Sequence, residues 1–312
     1  MLVLTVADVN AQTRKGNEVI YTSAQGDLRI QVCNDHMFRV SKSTSHRFAD
    51  DEPWMVIKYD FPKVKFRVEG TTLRTAALQV SVQPDPWRIT VSDLSGKVLY
   101  QETASEAGAS PSNECVLQAD EHFFGLGERM DALDQRGRKV HLNVELGRGP
   151  RPAVGGKDIL RANYCPVPWL ISNKGYAIFF HNAAKTDWDL GWSRSDRYSF
   201  SASAGSLDYY FVFGPTIETM LQNYQLLTGV SPLMPRSAYG LHLGSYSGGT
   251  WKHEELTSDT YPVNLVKRMR SEGIPFDLLW LDSTWRFFNS TFGNGGCCFE
   301  FRETFKNPQA MI

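Results

Sequence analysis

The sequence carries no surplus of charge: 33 Lys+Arg stand against 34 Asp+Glu, a formal net charge of −1. No basic run forms the footprint of a nucleic-acid binder, and nothing in the overall balance calls for a polyanionic partner. Long apolar runs are missing as well. None approaches the ~18 residues of a membrane span. The opening MLVLTVADVNAQTRKG is apolar but has no positive region ahead of it, and Asp8 follows soon after. It reads as a strand and not as a signal peptide. Cysteines are few and odd in number: Cys33, Cys115, Cys165, Cys297 and Cys298. None forms a C-x-x-C or a Cys/His spacing suited to zinc. Reduced thiols in a cytoplasmic protein are the expectation, with no cofactor and no metal. The sequon at Asn289 is then a coincidence of composition, since no secretion signal accompanies it.

What is present is an ordinary globular composition, 42% hydrophobic and 21% charged over 312 residues, enough for about two domains. Aromatics are plentiful, with 8 Trp, 12 Tyr and 18 Phe. Flat rings suit sugar faces, but they also fill sandwich cores, and core packing is the commoner use.

Residues 1–235 are almost all strand and turn. DLRIQVCNDHMFRV (27–40) alternates apolar and polar residues, and VKFRVEG (64–70), LQVSVQPDPWRITVSDLSGKVLYQ (78–101) and RYSFSASAGSLDYYFVFG (197–214) repeat the pattern. WLISNKGYAIFFHN (169–182) reads as a hairpin turning at Ser172–Gly175. Short strands at regular spacing predict a large antiparallel β-sandwich. The grammar then changes. TIETMLQNYQLLTG (216–229) has helical spacing, and a Pro-punctuated connector (231–239) follows. YGLHLGSYSGG is a strand ending in a Gly/Ser loop, TYPVNLVKRMRSEG (260–273) is a helix, and IPFDLLWLDSTW (274–285) is a second strand. Strand, helix, strand is a βα unit of a parallel sheet. A long loop over 286–304 and a helix start at NPQAMI come next. Residues 236–312 fall far short of the about 250 residues of a closed barrel, so the chain is expected to be the N-terminal part of a longer enzyme.

Four motifs occur in order: FFGLGERMDALDQRGRKVHLNVELG (123–147), YCPVPWLISNKGYAIFFHN (164–182), PRSAYGLHLGSYS (235–247) and GIPFDLLWLDSTW (273–285). Together they resemble glycoside hydrolase family 31, the α-glucosidases, α-xylosidases and related transglycosylases. The resemblance spans about residues 120–312. It implies a galactose-mutarotase-like N-terminal sandwich (1–235) and the first two strands of a (β/α)8 TIM barrel (236–312), truncated here. It also implies a retaining mechanism with paired carboxylates ~5–5.5 Å apart. In the family both come from later barrel strands, so no residue of this chain is expected to be nucleophile or acid/base.

What the resemblance leaves within the chain is part of the −1 subsite. Asp282 matches the aspartate that hydrogen-bonds sugar hydroxyls, and a carboxylate accepting two such bonds orients the ring. Tyr246 matches an aromatic wall at the tip of the first strand. Ser283 and Trp285 follow Asp282 in the same pocket. With Ser283 small, room remains for a hexose C6 arm, which favours a hexoside over a xyloside. Glu145, beside Asn143, stands where the family carries an acid on a loop over the barrel mouth, though the usual residue is Asp. The expected partner is an oligosaccharide or α-glycoside, with no nucleic acid and no membrane, and a homo-oligomer of the full-length protein is left open. Other features read as structural. Arg129 and Glu128 brace the sandwich, and GLG (125–127) lacks the context of a phosphate loop. Asp187 and Asp189 lack the further ligands of a calcium site, and the adjacent Cys297 and Cys298 are poorly placed to form a disulfide with each other.

Overall fold

The period-two segments become strands because alternate side chains on a pleated strand face opposite sides, so one apolar set can be buried together. The structure is a computed structural model that describes residues 11–49, 52–84, 86–129, 131–148, 157–163, 165–245, 258–281, 285–288 and 296–312. The chain divides into two units, Met1–Val230 and Ser231–Ile312.

The first unit is a sandwich of an eight-stranded and a nine-stranded sheet, antiparallel throughout. Between the sheets lies one continuous core. Ile30, Val40, Ile178, Phe180, Tyr209 and Phe211 enter it from the eight-stranded sheet, and Val80, Ile89, Trp188 and Phe200 meet them from the nine-stranded one. The 169–182 hairpin forms as expected, with strands Trp169–Ser172 and Tyr176–Phe180 closed by Gly175 at φ 86°.

One feature departs from simple alternation. Every residue of Met37–Ser43, Trp169–Ser172 and Tyr176–Phe180 is buried. The eight-stranded sheet is covered on both faces. Its second face holds Met37, Trp169, Ile171, Phe179, Tyr210 and Val212, against Met220 and Leu227 of the helix Ile217–Thr228. Each such side chain withdrawn from water contributes roughly 1.5–3 kcal/mol. Near-continuous apolar strands are what two-sided burial requires. The helix itself starts at Thr216, whose hydroxyl accepts the Thr219 N–H, and stops at Gly229 with φ 87°.

The expected strand at 64–70 shrinks to Arg67–Glu69. Upstream of it the chain crosses between sheets and takes its hydrogen bonds from a side chain. Asn17 donates to the Pro62 carbonyl at 2.8 Å and accepts the Val64 N–H at 3.0 Å.

In the second unit the strands His242–Ser245 and Leu278–Leu281 pair in parallel, with the helix Thr260–Ser271 between them in sequence. The expected loop at 286–304 instead holds a hairpin, Arg286–Phe288 against Gly296–Phe301. Its aromatic-rich strands favour a pleated, half-buried surface. A short helix, Pro308–Met311, begins as expected, with the Asn307 side chain accepting the Ala310 N–H.

Candidate functional site

The FFGLGE and YCPVPWL motifs begin 41 residues apart in sequence (164 minus 123) and are stitched together backbone to backbone. Leu126 donates its N–H to the Trp169 carbonyl at 2.9 Å, and Glu128 to that of Cys165 at 3.0 Å. Both glycines are required by geometry. Gly125 and Gly127 have φ of 105° and 88°, and a Cβ on them would lie 2.3 Å from the Trp169 carbonyl oxygen and 2.1 Å from that of Cys165. The GLG run is a backbone weld. Arg129 pairs with Asp131 beside it, and the Glu128 side chain is exposed. Burial pushes the Asp131 carboxyl up, but the Arg129 and Ala132 bonds outweigh it and hold the group below its ordinary value.

The sandwich core contains a buried polar cluster centred on Glu102. Its carboxylate accepts Lys42 Nζ at 2.6 Å, the Ile89 N–H at 2.7 Å, Tyr209 Oη at 2.6 Å and Asn113 Nδ2 at 2.8 Å. A second buried acid, Glu121, accepts the hydroxyls of Ser172 and Tyr176, each at 2.6 Å. Burial nonetheless raises its pKa, as it does for the surrounding Tyr100, Tyr176, Tyr198 and Tyr209. These acids are enclosed and already saturated with donors. They hold the fold and cannot reach a substrate.

Two adjoining cavities open on the sandwich surface. The first, about 560 Å³, is lined by Glu52, Trp54, Met55, His181, Gly205 and Asp208, among others. Its floor is structural: Arg39 Nε and Nη2 each hold an Asp208 oxygen at 2.8 Å, and Ser41 adds a third bond at 3.0 Å. Asn182 is fully engaged, donating to the carbonyls of Ala204 and Ser206 and accepting the Ala184 N–H. The second cavity, about 400 Å³, is lined by Leu142, Asn143, Val144, Pro166 and Pro168, among others. It lies at the foot of the hairpin Glu145–Arg148 with Lys157–Asn163. Glu145 opens that hairpin opposite Asn163, and its side chain lies outside the described residues.

In the second unit, the register His242↔Leu278 to Ser245↔Leu281 makes the two parallel strands end level. Tyr246 and Asp282 are the next residues in sequence; both, with Ser283, lie outside the described residues. Trp285 is half-buried. Its ring stands 5.0 Å from that of Phe301, which in turn lies 5.4 Å from Phe305, and its carbonyl accepts the Arg302 N–H at 2.9 Å. Along the strands, Trp280 donates its indole N–H back to His242 Nδ1 at 3.1 Å. Asp187 pairs with His141 at 2.7 Å and Asp189 caps the N–H groups of Trp192 and Ser193. Among the described residues no group of three or more His, Cys, Asp or Glu could hold a metal ion. No helix among them is long and apolar enough to cross a membrane.

A large antiparallel sandwich followed by a parallel βα unit is the layout of a mutarotase-like domain joined to the start of a TIM barrel. The family model described as the glycosyl hydrolase 31 N-terminal galactose mutarotase-like domain matches residues 27–189, more than half of the chain. That of the glycosyl hydrolases family 31 TIM-barrel domain matches residues 231–312. The chain belongs to glycoside hydrolase family 31. It is 30% identical over 250 residues to alpha-glucosidase 2 of Bacillus thermoamyloliquefaciens, covering 78% of this chain and 29% of that protein. It is 28% identical over 195 residues to alpha-xylosidase XylQ of Lactiplantibacillus pentosus, covering 62% and 23% respectively. Among solved structures, a Flavobacterium johnsoniae family 31 dextranase complexed with isomaltotriose superposes with a TM-score of 0.81 at 26% identity, over 98% of this chain and 37% of that one. The chain thus spans less than a third of the length of these two relatives.

Proposed function

We propose that the chain is the sandwich and the sugar-positioning start of the barrel of a retaining α-glycosidase that acts on α-linked hexosides. The observation that carries this reading is the level ending of the two parallel strands. In parallel βα architecture, residues that follow the C-terminal ends of adjacent strands face a common mouth where ligands bind. Asp282 then orients the −1 sugar through paired hydroxyl hydrogen bonds, Tyr246 walls the ring, and Ser283 leaves space for a C6 arm. Trp285 closes the pocket from the aromatic cluster behind it, and Glu145 is the loop acid that the family resemblance assigns to the substrate. The names of the relatives, an α-glucosidase and a dextranase with isomaltotriose bound, support a glucoside. Nucleophile and acid/base are supplied by later barrel strands. The buried, free thiols of Cys33 and Cys115 support a cytoplasmic setting.

The test is kinetic. The protein made from the whole reading frame that contains this chain should hydrolyse p-nitrophenyl α-D-glucopyranoside faster than the α-D-xylopyranoside, releasing the α-anomer first by proton NMR. Asp282→Ala should lower kcat/KM by about 100-fold or more, as loss of positioning does. An unchanged kcat/KM in that variant removes Asp282 from the pocket, and preference for the xyloside removes the hexoside reading. The 312-residue chain alone should turn over neither.

A further inference from the structure

Both sheets of the sandwich end in charged edge strands: Ala11–Lys15 on the eight-stranded sheet and Arg67–Glu69 on the nine-stranded one. The two edges meet at a cleft of about 580 Å³ lined by Arg14, Lys63, Val64, Lys65, Phe66, Arg67, Arg74, Thr75 and Ala76. Five of these are cations, all exposed, and no carboxylate among the described residues lines the cleft. Asp35 stands at one end only, accepting the Ala76 N–H at 3.3 Å. Arg74 bonds the neutral Gln79, and none of the five cations forms an ion pair among the described residues. The Arg14 guanidinium lies over the Phe66 ring, 3.8 Å from its centroid, and donates to the Phe66 carbonyl.

Charges on edge strands deter strand addition. That role needs like charge along each edge separately. It does not need cations from three separate segments to converge on one concave wall. Such a wall focuses field on an anion. A guanidinium held over a ring and bonded to its backbone carbonyl keeps donors free for an oxyanion. The only aromatic among the described residues of the cleft, Phe66, is 7% exposed and lies beneath Arg14, so these residues offer no platform on which nucleobases could stack.

We propose that this cleft binds an anionic glycan through its sulfate or phosphate ester groups. The oxyanion half of the proposal stands on the cleft alone; the glycan half rests on the reading of the chain as part of an α-glycoside-acting enzyme. The experiment is calorimetric titration of the 312-residue chain with a sulfated dextran oligosaccharide, a phosphorylated one, a neutral one of equal length, and a DNA oligonucleotide of equal charge. One or both charged dextrans should bind, the tighter one naming the ester, and the neutral one should not. Lys65→Gln/Arg67→Gln, both exposed, should weaken that binding at least tenfold with an unchanged thermal midpoint. The slope of log K against log salt should fall by roughly 0.7–0.9 per cation removed. Undiminished binding in the double variant, equal binding of neutral dextran, or no binding of either charged dextran overturns the site. Equal binding of DNA overturns the glycan assignment. Because the readout is binding, a failure of the hydrolytic reading leaves these outcomes distinct.

Discussion

Replacing Lys42 by Met should destabilise the sandwich by about 3–5 kcal/mol, the usual cost of stranding one member of a buried ion pair. The side chains of Lys42 and Glu102 are 3% and 0% exposed. The ammonium uses its three donors on Glu102 at 2.6 Å, Ser105 Oγ at 3.0 Å and the Trp87 carbonyl at 3.1 Å. Met preserves length and volume but donates nothing, so Glu102 is left with only neutral donors. Glu102→Leu has a separate cost. It orphans the Ile89 N–H, worth about 1–3 kcal/mol, and strands the ammonium. The two changes are coupled: each single variant leaves a bare charge, and the double variant leaves none. Lys42→Met/Glu102→Leu should therefore fall short of the summed losses by about 2–3 kcal/mol. Urea unfolding followed by tryptophan fluorescence reads this, since Trp87, Trp169 and Trp188 are buried in the sandwich. A loss below about 1 kcal/mol for Lys42→Met, or simple additivity, would refute the claim that the pair is held as a desolvated unit.

Gly127→Ala should cost about 2–4 kcal/mol, from a strained positive φ and a Cβ at 2.1 Å from the Cys165 carbonyl oxygen. Gly16→Ala, at φ 60° with nothing within 4 Å, should cost only about 1 kcal/mol; equal losses in thermal unfolding would show that the close approach is not what demands glycine at 127. Glu121 makes stability depend on pH in a direction opposite to most carboxyls. Burial raises its folded pKa above the unfolded one, so the folded state binds the extra proton. Stability should fall as pH rises from the ordinary glutamate value of about 4.3 to the folded pKa, then level off. Denaturation midpoints across that range should show the slope in the parent and lose it in Glu121→Gln.

Much of the sandwich was legible because period-two alternation and turn residues are local signals, as at 78–101 and 169–182. Two-sided burial of the eight-stranded sheet was not. YAIFF and DYYFVF are apolar without a break, yet a continuous run of that length also fits a strand end or a buried helix segment. What distinguishes them is the helix Ile217–Thr228 docking on the outer face, and Tyr224 reaching to 4.5 Å from the Trp169 ring. That contact spans 55 residues of chain (224 minus 169) and leaves no local trace. The Lys42–Glu102 pair escapes for the same reason. Neither residue differs in sequence from a solvated surface charge. The basic cleft draws Arg14, Lys65 and Arg74 from separate segments, while the chain as a whole is almost neutral, so neither net charge nor a search for basic runs could reveal it.

The barrel strands show the converse limit. That 242–245 and 278–281 are neighbouring strands follows from strand–helix–strand order and right-handed crossover rules. Their register does not, because parallel pairing in a buried sheet is set by contacts on both faces and not by a tight turn. A slip of one residue would turn every side chain of one strand to the other face, and would leave Tyr246 and Asp282 following strand ends that are no longer level. The observed pairing of Ser245 with Leu281 is therefore what the proposal of a shared sugar site rests on beyond the motif match. Trp285 marks where sequence reasoning runs out. Its position three residues past Asp282 suggests a pocket wall, but its packing on Phe301 depends on a hairpin that the pattern of 286–304 does not announce. An aromatic can serve both surfaces at once, one face against the cluster and one toward the sugar. Trp285→Leu would keep the apolar packing and remove the stacking face. If Trp285 meets the substrate, this change should raise KM severalfold with little loss of stability; a loss of stability with KM unchanged would confine Trp285 to the hairpin.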